Sequence, residues 1–235
     1  MRVLAVQPDA DAPLGLIAGP LAAAGIEVEV WEPRLATPPA GPYDGIIVLG
    51  SSANPDEDRF ESWIPAVRGE VSLALELDIP LLGICFGAQI LTEELGGRTA
   101  RLDRPEIGWV ELQPTADAAG DPLFGEMPPG GVPMLQWHQY AMESPRGAVA
   151  LVEPTSCEQA WRIEGRDVWA VQFHFEADAA IAADWVAGSI DELAARGLDP
   201  SGLRAASHAS APKAEPVATA IAAGFASVVA SRSAS

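Results

Sequence analysis

Two short, uninterrupted apolar runs set the fold class. Asp44-Gly45-Ile46-Ile47-Val48-Leu49-Gly50 and Pro80-Leu81-Leu82-Gly83-Ile84 show no polar alternation. Strands of this kind are buried on both faces, as in a mostly parallel sheet covered by helices. Helical spacing follows each run. Residues 58–77 gather Trp63, Ile64, Val67, Val71, Ala74 and Leu75, and residues 86–95 continue directly from the second run. Residues 3–7 form a first apolar strand, and residues 13–24 have helical spacing that ends at Gly25. Residues 26–31 alternate apolar and acidic side chains, as a strand with one solvated face does. Strands alternating with helices imply βαβ units, hence an α/β fold with a doubly wound, mostly parallel sheet.

The middle of the chain differs. Short runs at 109–112, 132–137, 148–152 and 168–173, separated by turns, predict a mixed or antiparallel extension of the sheet. A helix over 177–196 closes the compact part. The expected division is one domain over 1–196 and a tail over 197–235. Within the tail, 207–216 reads as a linker and 217–229 as a weakly amphipathic terminal helix.

Charge narrows the function. The chain of 235 residues carries a formal net charge of -19. Asp199 and Glu215 against Arg204, Lys213 and Arg232 give the tail a net +1, so the acidity belongs to residues 1–196. An acidic surface repels phosphate backbones and anionic headgroups, which argues against nucleic-acid and membrane partners. No apolar stretch approaches the roughly 20 residues of a bilayer span, and the N-terminus lacks a signal-peptide pattern. A soluble, cytoplasmic protein is expected. The two cysteines, Cys85 and Cys157, make no disulfide framework. Neither has metal-ligand spacing, the three histidines are scattered, and no nucleotide fingerprint is present, so neither metal nor cofactor is expected.

The strongest local signal is Gly83-Ile84-Cys85-Phe86-Gly87. A buried strand runs into a helix through a Cys flanked by glycines two residues away on each side, which is the nucleophile-elbow pattern with Cys for Ser. The turn puts Cys85 at a helix N-terminus, where free N–H groups and the helix dipole favour a thiolate. The Phe86 amide is available there to an oxyanion. A buried core thiol is the commoner fate of a free Cys, and Cys157 is read that way. A nucleophilic Cys needs a base. His208 lies in the Ala- and Ser-rich tail, and His138 follows the run 133–137. His174 ends the run 168–173, with Glu176 two residues later and therefore on the same face of an extended segment. Spacing alone equally allows a surface His beside an unrelated Glu.

These segments resemble a known family. Gly83-Ile84-Cys85-Phe86-Gly87-Ala88-Gln89 is similar to the nucleophile motif of class I, triad-type glutamine amidotransferases, and Val171-Gln172-Phe173-His174-Phe175-Glu176 to their His-Pro-Glu motif. Leu135-Gln136-Trp137-His138 and Pro105-Glu106-Ile107-Gly108-Trp109 resemble the stand-alone, GMP-synthase-like branch. The resemblance spans the first strand to about residue 196 and implies a flavodoxin-like sheet. It implies a reaction in which Cys85 attacks the glutamine side-chain amide, His174 moves the proton and Glu176 orients His174. A γ-glutamyl thioester is formed and hydrolysed. It places the oxyanion hole at Phe86 and the Gly50-Ser51 turn, and substrate contacts at Gln89, His138, Gln139 and Tyr140.

Three departures stand out. Gly50-Ser51-Ser52 replaces Gly-Gly-Pro or Gly-Ser-Pro, Phe175 replaces the Pro of His-Pro-Glu, and Gln139-Tyr140 replaces Gly-Asp. The last reshapes the substrate pocket. No ammonia-consuming synthase domain follows residue 196, so a glutaminase acting alone or with a separate synthase subunit is the first expectation. A γ-glutamyl hydrolase or peptidase is the second, and a catalytically silent binding module the third.

Overall fold

The computed structural model describes residues 1–232. The strands are β1 (Arg2–Val6), β2 (Glu27–Trp31), β3 (Gly45–Val48), β4 (Leu81–Ile84), β5 (Arg98–Leu112), β6 (Val132–Glu143), β7 (Ala148–Val152), β8 (Ala160–Ile163) and β9 (Val168–Val171). The helices are α1 (Ala18–Ala23), α2 (Ile64–Glu76), α3 (Phe86–Glu94), α4 (Ala179–Gly188), α5 (Ile190–Ala195) and α6 (Pro200–Arg232). Seven strands form one sheet in the order β2-β1-β3-β4-β9-β8-β7. The first five are parallel; β8 and β7 add antiparallel to the β9 edge. This is the mixed extension expected from the short runs.

Two cores lie on opposite faces, and the two-residue period of the strands decides which side chain enters which. Val3, Ala5, Ile47, Leu49, Leu82 and Ile84 face α6 and the Ile17–Leu21 region. Leu4, Val6, Ile46, Val48 and Leu81 face α2 and α3. Strands β3, β4 and β9 are buried along their whole length, the physical meaning of their unbroken apolar runs.

The runs at 109–112 and 132–137 belong to a separate antiparallel pair, β5–β6, rather than to the main sheet. The pair is longer than the apolar runs because the first half of β5 is polar and largely exposed. Its register shifts between Arg101 and Glu106. Beyond β9, the His174 N–H donates to Leu135 O at 2.8 Å and ties β6 to the carboxyl end of that interior strand.

The tail corrects two expectations. Residues 207–216 are not a linker: α6 runs without a break through Pro212 and Pro216. Ser207, Ala211, Ala214, Ala218, Ile221 and Phe225 are buried along one face, and the last four belong to the same core as the sheet. Small side chains let the helix lie close; a Cβ on Gly224 would come 2.2 Å from Pro122 O. Tertiary packing thus overrides a composition that reads as linker. Contrary to the expectation that no stretch is long and apolar enough, the helix also meets the length and apolarity of a bilayer span, with a mean hydropathy of 1.4 over its most apolar stretch. Half of that stretch is buried in the protein's own interior, as in a core helix. Truncating Phe225→Ala should lower stability by about 3–5 kcal/mol, measured as a fall in the urea midpoint at unchanged m-value.

Candidate active site

The site begins with a backbone constraint at the end of β4. Cys85 has φ +50° and ψ -105°, a conformation that side chains rarely adopt, and it caps the N-terminus of α3. Its neighbours must lack side chains. A Cβ on Gly83 would lie 2.6 Å from the Gly87 carbonyl, and one on Gly87 would lie 2.0 Å from Val48 O. The two glycines let α3 press against β3 and β4, and the Cys85 N–H is anchored to Val171 O at 2.8 Å. The thiol is nearly buried, 3.9 Å from the Trp137 carbonyl.

His174 and Glu176 meet it from the end of β9. His174 Nδ1 lies 2.6 Å from Glu176 Oε1, and both residues are buried. That bond leaves the far side of the ring for Cys85. Gly50, at the end of β3, makes room: a Cβ there would lie 2.9 Å from His174 Cε1 and 3.7 Å from Cys85 Cβ. Trp185 of α4 stands edge-on to the imidazole, with centroids 4.8 Å apart, and its indole N–H donates to Asp11 O at 2.7 Å. Glu176 is held through its own carbonyl, which accepts from Leu16 N at 2.9 Å. Phe175 is a core residue packed on Phe173 with centroids 6.5 Å apart, so the replacement of the expected Pro anchors this segment through burial.

The electrostatics favour a charged imidazole. Burial is the largest influence on His174 and pushes its pKa down. The Glu176 carboxylate, the Cys85 charge and the hydrogen bonds to both outweigh it, leaving the pKa well above the ordinary histidine value.

A cavity of about 280 Å³ opens over these groups. Gly50, Ser51, Cys85 and His174 line one side, and Gln89, His138, Gln139 and Tyr140 line another. Phe86 and Glu176 lie behind the wall, the Phe86 ring packed 5.4 Å from that of Trp63. The Tyr140 carbonyl is fixed twice, by Gln89 Nε2 at 3.1 Å and by His138 Nδ1 at 2.9 Å. The side chains of Gln139 and Tyr140 turn toward the loop after β3, bonding Asn54 at 2.8 Å and Asp56 at 3.0 Å. The ten residues singled out from the sequence therefore surround one cavity or directly back it.

Sequence reasoning missed several neighbours. Asp9 Oδ2 accepts from the Ser52 N–H at 2.6 Å and from Ser51 Oγ at 3.2 Å, and so holds the Gly50–Ser52 turn. Burial opposes the Asp9 charge most, but Ser52 and Arg34 together keep its pKa below the usual carboxylate range. Its place at the carboxyl end of β1 was a usable signal, since ligands of open α/β sheets bind there. Trp185, Glu192 and Arg196 also line the cavity with no local motif to mark them, beside Trp137 of the Leu135–His138 segment. Cys157 is half-buried rather than a core thiol, and its Sγ lies 3.4 Å from Glu106 Oε2.

Comparison with known proteins identifies the family. The model of the family described as "Glutamine amidotransferase class-I" matches residues 15–183. The chain belongs to that family. Among relatives of this amidotransferase domain, the glutamine-hydrolyzing GMP synthase of Pediococcus pentosaceus is 33% identical over 102 residues, covering 43% of this chain and 19% of that protein. A glutamine-hydrolyzing GMP synthase subunit from Natronomonas pharaonis is 32% identical over 138 residues, covering 57% of this chain and 66% of that one. The match thus takes in under a fifth of the first and about two thirds of the second. A solved glutamine amidotransferase from Thermotoga maritima shares the fold, with a TM-score of 0.85 at 22% identity over 96% of this chain and 98% of that one. One from Methylobacillus flagellatus has a TM-score of 0.85 at 22% identity, covering 97% and 94%.

The raised His174 pKa gives a titration test. The unfolded ring titrates at about 6.5, so the pair's contribution to stability is complete below that pH and fades as pH rises through the higher folded value. By nitrogen NMR the His174 ring should stay protonated at neutral pH. Glu176→Gln and Cys85→Ala should each move its midpoint down, because each removes a negative neighbour.

Proposed function

We propose that this amidotransferase hydrolyses the side-chain amide of glutamine, with Cys85 as nucleophile, His174 as proton carrier and Glu176 as its orienting carboxylate. One observation carries the reading: a strained cysteine at a helix N-terminus shares a buried corner with a histidine bonded to a carboxylate at 2.6 Å, under a cavity. The helix N-terminus and the neighbouring imidazolium both favour the Cys85 thiolate.

The thiolate attacks the amide carbon, and the carbonyl electrons move onto oxygen. The amides of Phe86 and the Gly50-Ser51 turn hold that oxyanion. His174 gives its proton to the amide nitrogen, the carbon–nitrogen bond breaks, ammonia leaves and a γ-glutamyl thioester remains. Neutral His174 then takes a proton from water, hydroxide adds to the thioester, and glutamate departs as the thiolate re-forms. Gln89 and His138 act on the substrate through the backbone they fix at Tyr140. The relatives that are themselves single subunits of GMP synthase support a separate, ammonia-consuming partner protein. Gln139 and Tyr140, in place of Gly-Asp, support γ-glutamyl conjugates as a second substrate class.

Ammonia release from glutamine, measured beside amine release from γ-glutamyl conjugates, tests the proposal. Cys85→Ala should abolish activity and labelling by a glutamine-analogue electrophile. His174→Ala should lower kcat by about 10²–10⁴-fold. Undiminished turnover in Cys85→Ala would overturn the mechanism, and a preference for conjugates would reassign the substrate.

A further inference from the structure

A second cluster of chemically competent side chains lies behind the cavity wall. Glu106 on β5, His138 on β6 and Cys157 in the β7–β8 turn come from distant parts of the chain, yet their ligand atoms all lie within 4.8 Å of one another. His138 Nε2 is 3.1 Å from Glu106 Oε2, and Cys157 Sγ is 3.4 Å from the same oxygen. Tetrahedral zinc, with Zn–N and Zn–O near 2.1 Å and Zn–S near 2.3 Å, sets such ligand atoms about 3.3–3.6 Å apart. The two contacts to Glu106 Oε2 are near that spacing, and the His138–Cys157 pair lies within 4.8 Å.

The hydrogen bonds around the trio fix its orientation. His138 Nδ1 lies 2.9 Å from the Tyr140 carbonyl, which only accepts, so Nδ1 carries a hydrogen. Nε2 faces Glu106 Oε2 and, at 3.0 Å, Gln136 Oε1. The Gln136 amide is oriented by its own donation to Gln159 Oε1 at 2.9 Å, which leaves its oxygen toward the ring. Nε2 and the two oxygens thus converge on one point, with Cys157 Sγ beside them, the kind of place where a cation is held by several ligands. The other two members are also supported: Ser156 Oγ donates to Glu106 Oε1, and Gln159 Nε2 approaches Cys157 Sγ at 3.5 Å. A histidine whose second nitrogen donates to a backbone carbonyl, and anionic ligands that accept further hydrogen bonds, are the usual surroundings of a metal site.

We propose that Glu106, His138 and Cys157 form a zinc site with three protein ligands, the fourth position falling to Gln136 Oε1 or a water. One sulfur, one imidazole and one carboxylate suit Zn²⁺ better than the hard, all-oxygen ions. Binding replaces the Cys157 thiol proton, and any second proton on His138, which pass to solvent. The ion joins β5, β6 and the β7–β8 turn. Through His138 it also stiffens the Tyr140 carbonyl that Gln89 contacts. The site stands independently of the catalytic role of Cys85.

The test uses the full chain carrying Cys85→Ala, which removes the other thiol. Titration with Co²⁺ should give one equivalent of binding and a thiolate-to-cobalt charge-transfer band, and Zn²⁺ should displace the cobalt. Adding Cys157→Ser should abolish the band, and adding Glu106→Gln instead should weaken binding by about tenfold or more. Zn²⁺ should also raise the Tm of the Cys85→Ala protein and slow alkylation of Cys157, two readouts that need no second substitution. Absence of the band and of zinc protection, or an equal band after Cys157→Ser, overturns the site and leaves a histidine–carboxylate contact beside an ordinary thiol.

Discussion

The close approach of α3 to β3 and β4 is the constraint on which the rest depends. Gly83 and Gly87 bring helix and strand backbones nearer than any Cβ would permit, and Cys85 is forced to φ +50° between them. Such a conformation costs on the order of 1–3 kcal/mol and persists only where surrounding structure over-determines it. Here the over-determination is visible. Strand β4 is buried along its length, Phe86 is wedged against Trp63, and the Cys85 N–H is bound to β9. The strain sits at the residue that caps α3 and lines the cavity.

Much of the site around Cys85 arrives at the carboxyl ends of parallel strands, with the Trp137 carbonyl of β6 coming from outside the sheet. β1 delivers Asp9, β3 delivers Gly50, and β9 leads to His174 and Glu176. None of these groups is held by one contact. Asp9 fixes the turn after β3, Leu16 fixes Glu176, and Leu135 on β6 fixes His174. Burial of His174 and Glu176 strengthens their interaction and excludes the water that would loosen it. The same burial would expel the charge from an unpaired imidazole, and the Glu176 carboxylate and the Cys85 charge offset it.

The β5–β6 pair and α6 supply what the central sheet lacks. β6 forms the wall opposite the elbow and carries His138, Gln139 and Tyr140. α6 covers one face of the sheet and also reaches β5, where Trp109 Nε1 donates to Ser207 Oγ at 3.0 Å. The tail is therefore packed into the same interior that supports the wall. A helix rich in Ala and Ser can do this because close approach compensates for small side chains.

The sequence by itself determined the central sheet and the elbow. Both rest on local rules: unbroken apolar runs mean strands buried on two faces, and Gly-x-Cys-x-Gly between strand and helix means a sharp turn. The pairing of His174 with Glu176 was legible for a similar reason, since two residues apart on an extended segment is a contact distance. The register of β5 with β6, the turn of Gln139 and Tyr140 toward Asn54 and Asp56, and the meeting of Glu106, His138 and Cys157 were decided only by the tertiary structure. So was the helical state of 207–216, whose composition favours a linker until a core lies beside it. The physical reason is common to all of them. Local spacing encodes which face a side chain takes, but contacts between distant segments depend on packing energies that no single segment carries.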